Sequence, residues 1–171
     1  MEFISIPAGS FTMVSPKKEE GRKSISLGGL ERLTPTVAAL FVQHAKAQGT
    51  GIWLRSLHTL DSATAAALGQ HSDDLMLDGL TLLDATTANE LARCGGNVSL
   101  RGLKSLAPGV AKALAGHEGV LSLDSVRALS DGDAESLSKH RGFLDLSEVC
   151  ELTAAGARHL VNHVGKLVVS L

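Results

Sequence analysis

Aromatic side chains are scarce in this sequence of 171 residues: they make up 3% of the chain, and tyrosine is absent. Hydrophobic residues nevertheless account for 44%, so a core has to be built from leucine, valine, alanine and isoleucine. Thin, even layers of such side chains are typical of repeat arrays. The chain is long enough for one domain with a sizeable core.

Long apolar runs, blocks of basic charge and a cysteine framework are also missing. No apolar run approaches the roughly 20 residues that cross a bilayer, and Met1 to Met13 has neither the basic start nor the apolar stretch of a signal peptide. The net charge is −2 without a basic patch, which argues against a nucleic-acid partner. Cys94 and Cys150 lie at different positions of the repeat described next, so no disulfide is expected and a cytoplasmic location is predicted.

An internal repeat, twenty-three positions long, runs through most of the chain. Its marker is the last apolar residue of a short strand-like run, which recurs at this constant spacing after a first interval that is four positions longer: Leu27, Leu54, Leu77, Leu100, Leu123, Leu146 and Val169. The four additional residues of the first interval are expected in a loop around Ala45 to Thr50. Seven residues after each marker comes a predicted helix start: Thr34, Asp61, Asp84, Ala107, Ser130 or Thr153. All but Ala107 carry an oxygen that can cap a helix, and Ala107 precedes Pro108, a favoured first helical residue.

Each repeat therefore predicts a short strand and a helix of about three turns. An alanine four residues after each cap and a large apolar residue three further on define one buried helix face. Four glycines are predicted to end the later helices in the left-handed conformation: Gly96, Gly119, Gly142 and Gly165. Parallel strands joined through helices give right-handed crossovers. We thus predict an α/β fold, with a leader or cap over residues 1–23 and, over residues 24–171, a right-handed solenoid of six full repeats and a final strand, its parallel sheet on one face and its helices on the other.

The repeat resembles the leucine-rich-repeat family, whose units span about 20–29 residues. That family usually carries Asn or Cys on the turn after the strand, where this chain has Leu80, Leu103 or Val126, so its turns are expected to satisfy their backbone differently. Residues 3–13 (FISIPAGSFTM), together with Ser15-Pro16 and residues 20–22, resemble the opening strand of the formylglycine-generating-enzyme (sulfatase-modifying factor) family. The catalytic cysteines and metal-binding part of that family have no counterpart here, so the segment is interpreted as a remnant or cap.

The strand side offers the candidate binding surface. The residues flanking each marker point away from the core because strand side chains alternate. They form one column before the marker (Ser26, Trp53, Met76, Ser99, Ser122, Asp145, Val168) and one after it (Gly28, Arg55, Asp78, Arg101, Asp124, Ser147, Ser170). The predicted binding residues are Trp53, Met76, Arg55, Asp78, Arg101 and Asp124, because Trp and Arg are enriched in binding hot spots. Two alternatives stay open: the alternating Arg and Asp neutralise one another, and the leader covers Trp53.

Histidines form a second regular feature. His44, His71, His117, His140 and His163 lie ten residues after the predicted caps, and Cys94 takes that place in the third repeat. A metal ladder is one interpretation; the favoured one is structural, with histidines bonding carbonyls at helix ends. His159 and His163 have a metal-binding spacing but lack a third ligand. We expect no metal, no cofactor and no catalytic residues, since phosphate-binding loops and nucleophile motifs are also missing.

These patterns predict a non-enzymatic scaffold that binds a protein or peptide on its strand face, without nucleic-acid or membrane partners. The alternatives are a remnant or accessory of a sulfatase-modifying-type protein and a self-associating structural fragment. Self-association is expected at the apolar run Leu167 to Leu171, because an unpaired apolar edge strand invites pairing with a second chain and hence a homodimer.

Overall fold

The computed structural model describes residues 23–169. The leader predicted over residues 1–23 lies outside this part of the chain, except for its last residue. The alternative in which the leader covers Trp53 depends on these residues and also lies outside the described part. Seven strands alternate with six helices in the order β1 (Ser24–Ser26), α1 (Pro35–Gln48), β2 (Gly51–Trp53), α2 (Ser62–Leu68), β3 (Leu75–Met76), α3 (Ala85–Leu91), β4 (Val98–Ser99), α4 (Val110–Leu114), β5 (Leu121–Ser122), α5 (Asp131–Leu137), β6 (Leu144–Leu146), α6 (Ala154–Val161) and β7 (Leu167–Val169).

The strands form one parallel sheet in sequence order from β1 to β7. Ser26 lies opposite Trp53, and Trp53 lies opposite Met76. The same register continues through Asp145 opposite Val168. The spacing of the markers in the sequence, with its longer first interval, is therefore the register of the sheet, and the predicted α/β architecture with a parallel sheet and alternating helices is confirmed.

The core lies between the sheet and the helices. The marker leucines of β2 to β6 are completely buried, as are the alanines predicted to let α1, α2, α3 and α5 approach the sheet. Ala157 in α6 is only half-buried, and Gly156 is buried in its place. The turn after each of the middle strands contains a backbone hydrogen bond of its own. After β3, for example, the Leu80 N–H donates to the Leu77 carbonyl at 3.0 Å. The turns thus satisfy their backbone through main-chain hydrogen bonds, in agreement with the absence of Asn or Cys at Leu80, Leu103 and Val126.

Most of the predicted helix starts are confirmed. Thr34, Asp61, Asp84, Ser130 and Thr153 are N-cap residues whose side chains accept a backbone N–H. The prediction for the fourth repeat is wrong. There the helix begins at Val110 and not after Ala107, because Gly109 has a φ of 84° and turns the chain into the left-handed region before the helix starts.

Helix lengths also differ from the prediction. The helices α2, α3 and α5 have 7 residues each and α4 has 5, about two turns or fewer in place of three. The four additional residues of the first interval do not form a loop. They form part of α1, which has 14 residues and ends at a left-handed C-cap, Gly49, with a φ of 58°.

The glycine prediction is wrong as well. Among residues 23–169 only Gly49 and Gly109 have positive φ, so Gly96, Gly119, Gly142 and Gly165 do not end helices in the left-handed conformation. Each lies two residues before the first core residue of a strand, and the backbone of the preceding repeat passes directly over it. A Cβ on Gly142 would lie 2.0 Å from the carbonyl oxygen of Gly119. These glycines allow successive repeats to approach closely.

None of the helices in this part of the chain has the length and apolar character required to span a bilayer.

Candidate binding surface

The two columns predicted from the sequence lie side by side at the carboxyl ends of the strands. The column before the marker is in the strands and is half-buried, except that Ser99 is buried. The column after the marker was expected in the strands too, but its residues from Gly28 to Ser147 lie in the turns that directly follow the strands, and Ser170 lies outside the described residues. Each repeat therefore contributes one strand residue and one turn residue to a continuous strip, which we call the strand-side strip.

Three of the predicted binding residues contact one another at one end of the strip. The Arg55 guanidinium carbon lies 4.7 Å from the centre of the Trp53 ring, within range of a cation–π interaction. Arg55 Nη2 lies 3.7 Å from Met76 Sδ. Trp53 is half-buried on β2 and Met76 lies opposite it on β3. Arg55 thus contacts both Trp53 and Met76, and we call the three side chains the Trp53–Arg55–Met76 cluster.

The charged residues of the strip form ion pairs with one another, as predicted from the alternation of Arg and Asp. Arg55 Nε lies 3.8 Å from an Asp78 carboxylate oxygen, and Arg101 Nε lies 3.0 Å from an Asp124 oxygen. Asp78 also accepts hydrogen bonds from the Ser99 hydroxyl at 2.5 Å and from the Arg101 backbone N–H at 3.4 Å. Both arginine side chains stay about half exposed, at 52% and 55%. Their outward faces remain accessible to a ligand.

Asp124 differs from the other acids of the strip. Its Oδ1 is buried and accepts no hydrogen bond from residues 23–169. Burial raises the pKa of the Asp124 carboxyl; Arg101 opposes this effect, and the nearby Asp145 and Glu148 reinforce it. A hydrogen-bond donor from a ligand would therefore stabilise the ionised Asp124 carboxylate.

A polar depression of about 600 Å³ adjoins the tryptophan end of the strip. Its lining residues surround the start of β2: Lys23, Gln48, Gly49, Gly51, Ser72, Asp73, Asp74, Gly96 and Asn97. Asn97 crosses between repeats, since its Nδ2 donates to Asp74 Oδ1 at 2.8 Å and its Oδ1 accepts from the Val120 N–H at 3.1 Å. The repeat pattern did not predict this depression, because its lining residues lie away from the positions next to the markers.

A second pair of aromatic and cationic side chains, also missed, lies toward the other end of the strand side. Lys166 Nζ is 4.8 Å from the centre of the Phe143 ring. Both residues lie three positions before a marker, in the same column as Asp74 and Asn97. The signal that would have found them is the alternation of strand side chains carried one step further toward the amino end of each strand.

The histidine positions are only partly as predicted. His44 is exposed on α1 and does not join the others, because α1 is longer than the remaining helices. His71, His117 and His140 are buried and His163 is half-buried. The carbonyls that they contact belong to the preceding repeat: His117 Nδ1 is 3.4 Å from the Ala92 oxygen, and His163 Nε2 is 3.1 Å from the Gly142 oxygen.

No group of three metal-ligating side chains is arranged to hold a metal ion within residues 23–169. His159 and His163 accordingly do not form part of such a group. Both cysteines are free thiols, Cys94 buried and Cys150 exposed.

Comparison with protein-family models, with curated proteins and with solved structures finds no match. The functional interpretation therefore depends on the residues of this chain alone.

Proposed function

We propose that this protein is a non-enzymatic, cytoplasmic scaffold of the leucine-rich-repeat type, a right-handed solenoid that binds a protein or peptide on its strand-side strip. The sequential strand order and the constant sequence step between paired strands from β2 onward support the solenoid. Two free thiols agree with a reducing compartment.

The observation that carries the proposal is the Trp53–Arg55–Met76 cluster beside the polar depression. Large, rigid tryptophan and planar arginine side chains dominate the energetics of many interfaces. Arg55 already contacts Trp53 and Met76. Its side chain therefore loses less conformational entropy when a ligand packs on the cluster than a side chain without such contacts would.

The dimensions of the strip fit an extended segment of a partner. Trp53 on β2 and Asp124 after β5 are separated by three strand spacings, about 14 Å. An extended chain covers this distance with four or five residues, at about 3.3 Å each. Such a segment would pack an apolar side chain on the cluster and present donors to Asp78 and Asp124.

The test compares three baits in capture from native lysate: wild type, a Trp53→Ala/Arg55→Ala variant, and Lys112→Ala as a matched control. Lys112 is exposed on α4, away from the strip. A partner identified by mass spectrometry is then purified and its Kd measured with each bait. We expect the double variant to bind at least tenfold more weakly, about 1.4 kcal/mol or more, and the control to bind like wild type.

Circular dichroism has to show that the double variant keeps its fold. Equal binding of a purified partner by the folded double variant and by wild type would place the site elsewhere. A wild-type bait that captures only itself would remove the support for a strand-side ligand.

A second candidate function, self-association through the last repeat, is favoured by a separate observation. Val161 and Val164 are 82% and 88% exposed beside β7, and within the described residues β7 pairs only with β6. An open strand edge flanked by exposed apolar side chains is a surface for β-pairing. A second copy would add its own β7 antiparallel about a two-fold axis and bring the two valine pairs together.

Analytical ultracentrifugation tests the dimer. Wild type should sediment as a dimer, and Val161→Lys/Val164→Lys should sediment as a monomer. The control Leu82→Lys, at another apolar residue that is 76% exposed, should stay dimeric. A wild-type chain that is monomeric at its highest attainable concentration would rule out this function without affecting the strand-side proposal.

A further inference from the structure

A column of histidines passes through the interior of the repeats at the point where each helix ends. The residue at this position donates its backbone N–H to the carbonyl of the last large apolar residue of the helix, three residues earlier, at 2.9–3.0 Å in every case: His71, Cys94, His117, His140 and His163. Because the backbone geometry is the same in each repeat, the side chains stack above one another.

The rings of the column are nearly parallel. The centres of the His117 and His140 rings are 6.0 Å apart with an interplanar angle of 9°, and those of His140 and His163 are 5.9 Å apart at 12°. Ring nitrogens lie in the ring plane, so those of parallel, stacked rings do not converge on a shared ion. The arrangement therefore does not suit a metal.

Several ring nitrogens of the column have no hydrogen-bond partner among the described residues. His71 and His140 are at most 1% exposed, and among the described residues neither nitrogen of either ring makes a hydrogen bond of ordinary geometry. Backbone groups of Thr50 near His71, and of Phe143 and His117 near His140, oppose the effect of burial only in part. The Nε2 of His117 is also buried without a hydrogen-bond partner among the described residues. A neutral imidazole can be buried in this way at moderate cost, whereas a charged imidazolium in the same place would have two unpaired donors and no hydration.

Few counter-charges reach the column. The carboxylates of Asp73 and Asp74 act on His71 against the Lys46 ammonium. Glu118 is the acid that acts on His117, and both residues line a small depression together with the cations Lys139 and Arg141.

For His140 the charged neighbours are the two flanking histidines. A proton on any one ring of the stack therefore opposes the addition of a proton to the next.

We propose that this column makes the repeat array acid-labile, so that a fall in pH below about 6.5 opens the stacked repeats cooperatively. Burial lowers the pKa of His71, His117 and His140 in the folded chain, whereas in the unfolded chain these rings titrate near 6.5. Below that value the unfolded state binds more protons than the folded state. Stability is therefore complete above pH 6.5 and is lost as the pH falls toward the lowered values of the folded state.

Urea unfolding followed by far-ultraviolet circular dichroism from pH 7.5 to pH 5.0 tests the proposal. Each buried histidine that gains its proton only on unfolding raises the unfolding constant about tenfold per pH unit. With two or three such groups, the wild-type constant should rise by about 100-fold or more between pH 6 and pH 5.

The variant His117→Cys/His140→Cys, studied under reducing conditions, removes two of these groups. Cysteine is chosen because Cys94 already occupies this position in the third repeat and is 3% exposed. The variant should respond at most about tenfold over the same interval. The control His44→Cys, at an exposed residue of α1, should keep the wild-type slope. Equal slopes in wild type and the double variant would overturn the proposal.

Should the double variant fail to fold, His140→Cys alone should reduce the slope by one proton. An independent readout is the ring-proton titration of the folded wild type by NMR. Signals of His71, His117 and His140 that remain in the neutral form at pH 6 support the proposal. Signals that titrate near pH 6.5 without unfolding would refute it.

Discussion

Replacing Gly142 with alanine should destabilise the protein strongly, although this substitution is mild at most positions. A Cβ built on Gly142 would lie 2.0 Å from the carbonyl oxygen of Gly119 and 2.8 Å from that of Glu118. Real Cβ contacts essentially never fall below 3.0 Å, and both neighbouring atoms belong to backbone. The fifth and sixth repeats would have to separate by about 1 Å at this point.

The size of the effect follows from what this separation breaks. The hydrogen bond from the Leu121 N–H to the Phe143 carbonyl measures 2.8 Å and would exceed the usual limit if it lengthened by about 1 Å. Its loss costs about 1 kcal/mol. The overpacked contact itself costs about 1–3 kcal/mol. We expect a total of about 2–4 kcal/mol, a large part of the stability of a small domain.

The matched control is Gly132→Ala. Gly132 lies in the first turn of α5, and the nearest atom to an added Cβ there is 4.0 Å away. Alanine should stabilise that helix by about 0.5–1 kcal/mol because it restricts the unfolded chain and favours the helix. Urea denaturation of both variants gives the two free energies of unfolding. A loss below about 1 kcal/mol for Gly142→Ala would refute the close approach of neighbouring repeats.

Three further substitutions separate the forces that hold the repeats. Asp61→Ala removes a carboxylate that accepts two hydrogen bonds at the start of α2 and should cost about 1 kcal/mol in urea denaturation; an unchanged midpoint would show that the cap does not contribute. Leu75→Ala empties a completely buried position of β3 and should lower the unfolding free energy by about 3 kcal/mol, whereas Leu82→Ala, at a residue that is 76% exposed, should change it by less than about 0.5 kcal/mol. Arg101→Ala breaks an exposed ion pair and should cost less than about 1 kcal/mol in thermal denaturation; a larger loss would mean that the strip stabilises the fold.

The sheet register could be predicted because one spacing governs every repeat after the first. A helix start with a side-chain cap, an alanine on the inner helix face and a leucine at the strand end recur together, so each repeat confirms the alignment of the next. The lengths of the helices could not be read in this way. The C-cap residues Gly69 and Ala92 keep right-handed helical dihedral angles after α2 and α3, so the local sequence marks no sharp helix end there.

The role of the glycines was missed for a different reason. Glycine after a helix is a frequent C-cap signal, and a single repeat offers no other explanation for it. The requirement at Gly96 or Gly142 arises from the backbone of the preceding repeat, which is a distance between repeats and not a property of the local sequence. The misplacement of His44 has a related origin, because alignment on helix starts ignores the four residues that lengthen α1.

Within the candidate site, the residues adjacent to the markers were found and those further away were not. The contacts among Trp53, Arg55 and Met76 follow from the alternation of strand side chains and the register. The polar depression around Asp73 and Asn97 depends on the path of the chain between helix and strand. That path shows no periodicity in the sequence, so only the structure reveals it.

The columns of the repeat divide into those that hold the array together and those that are open to other uses. The marker column is leucine in all but the last repeat, and histidine occupies four of the five positions in its column from His71 to His163. Both columns are surrounded by neighbouring repeats, so one side chain that fits is used again. The column that contains Trp53, Met76 and Asp145 holds five residue types in seven positions, because packing does not constrain its outward face. A surface with fixed positions and variable residues allows a repeat protein to acquire a binding specificity. This is the physical argument for the proposal that the chain binds its partner on the strand side.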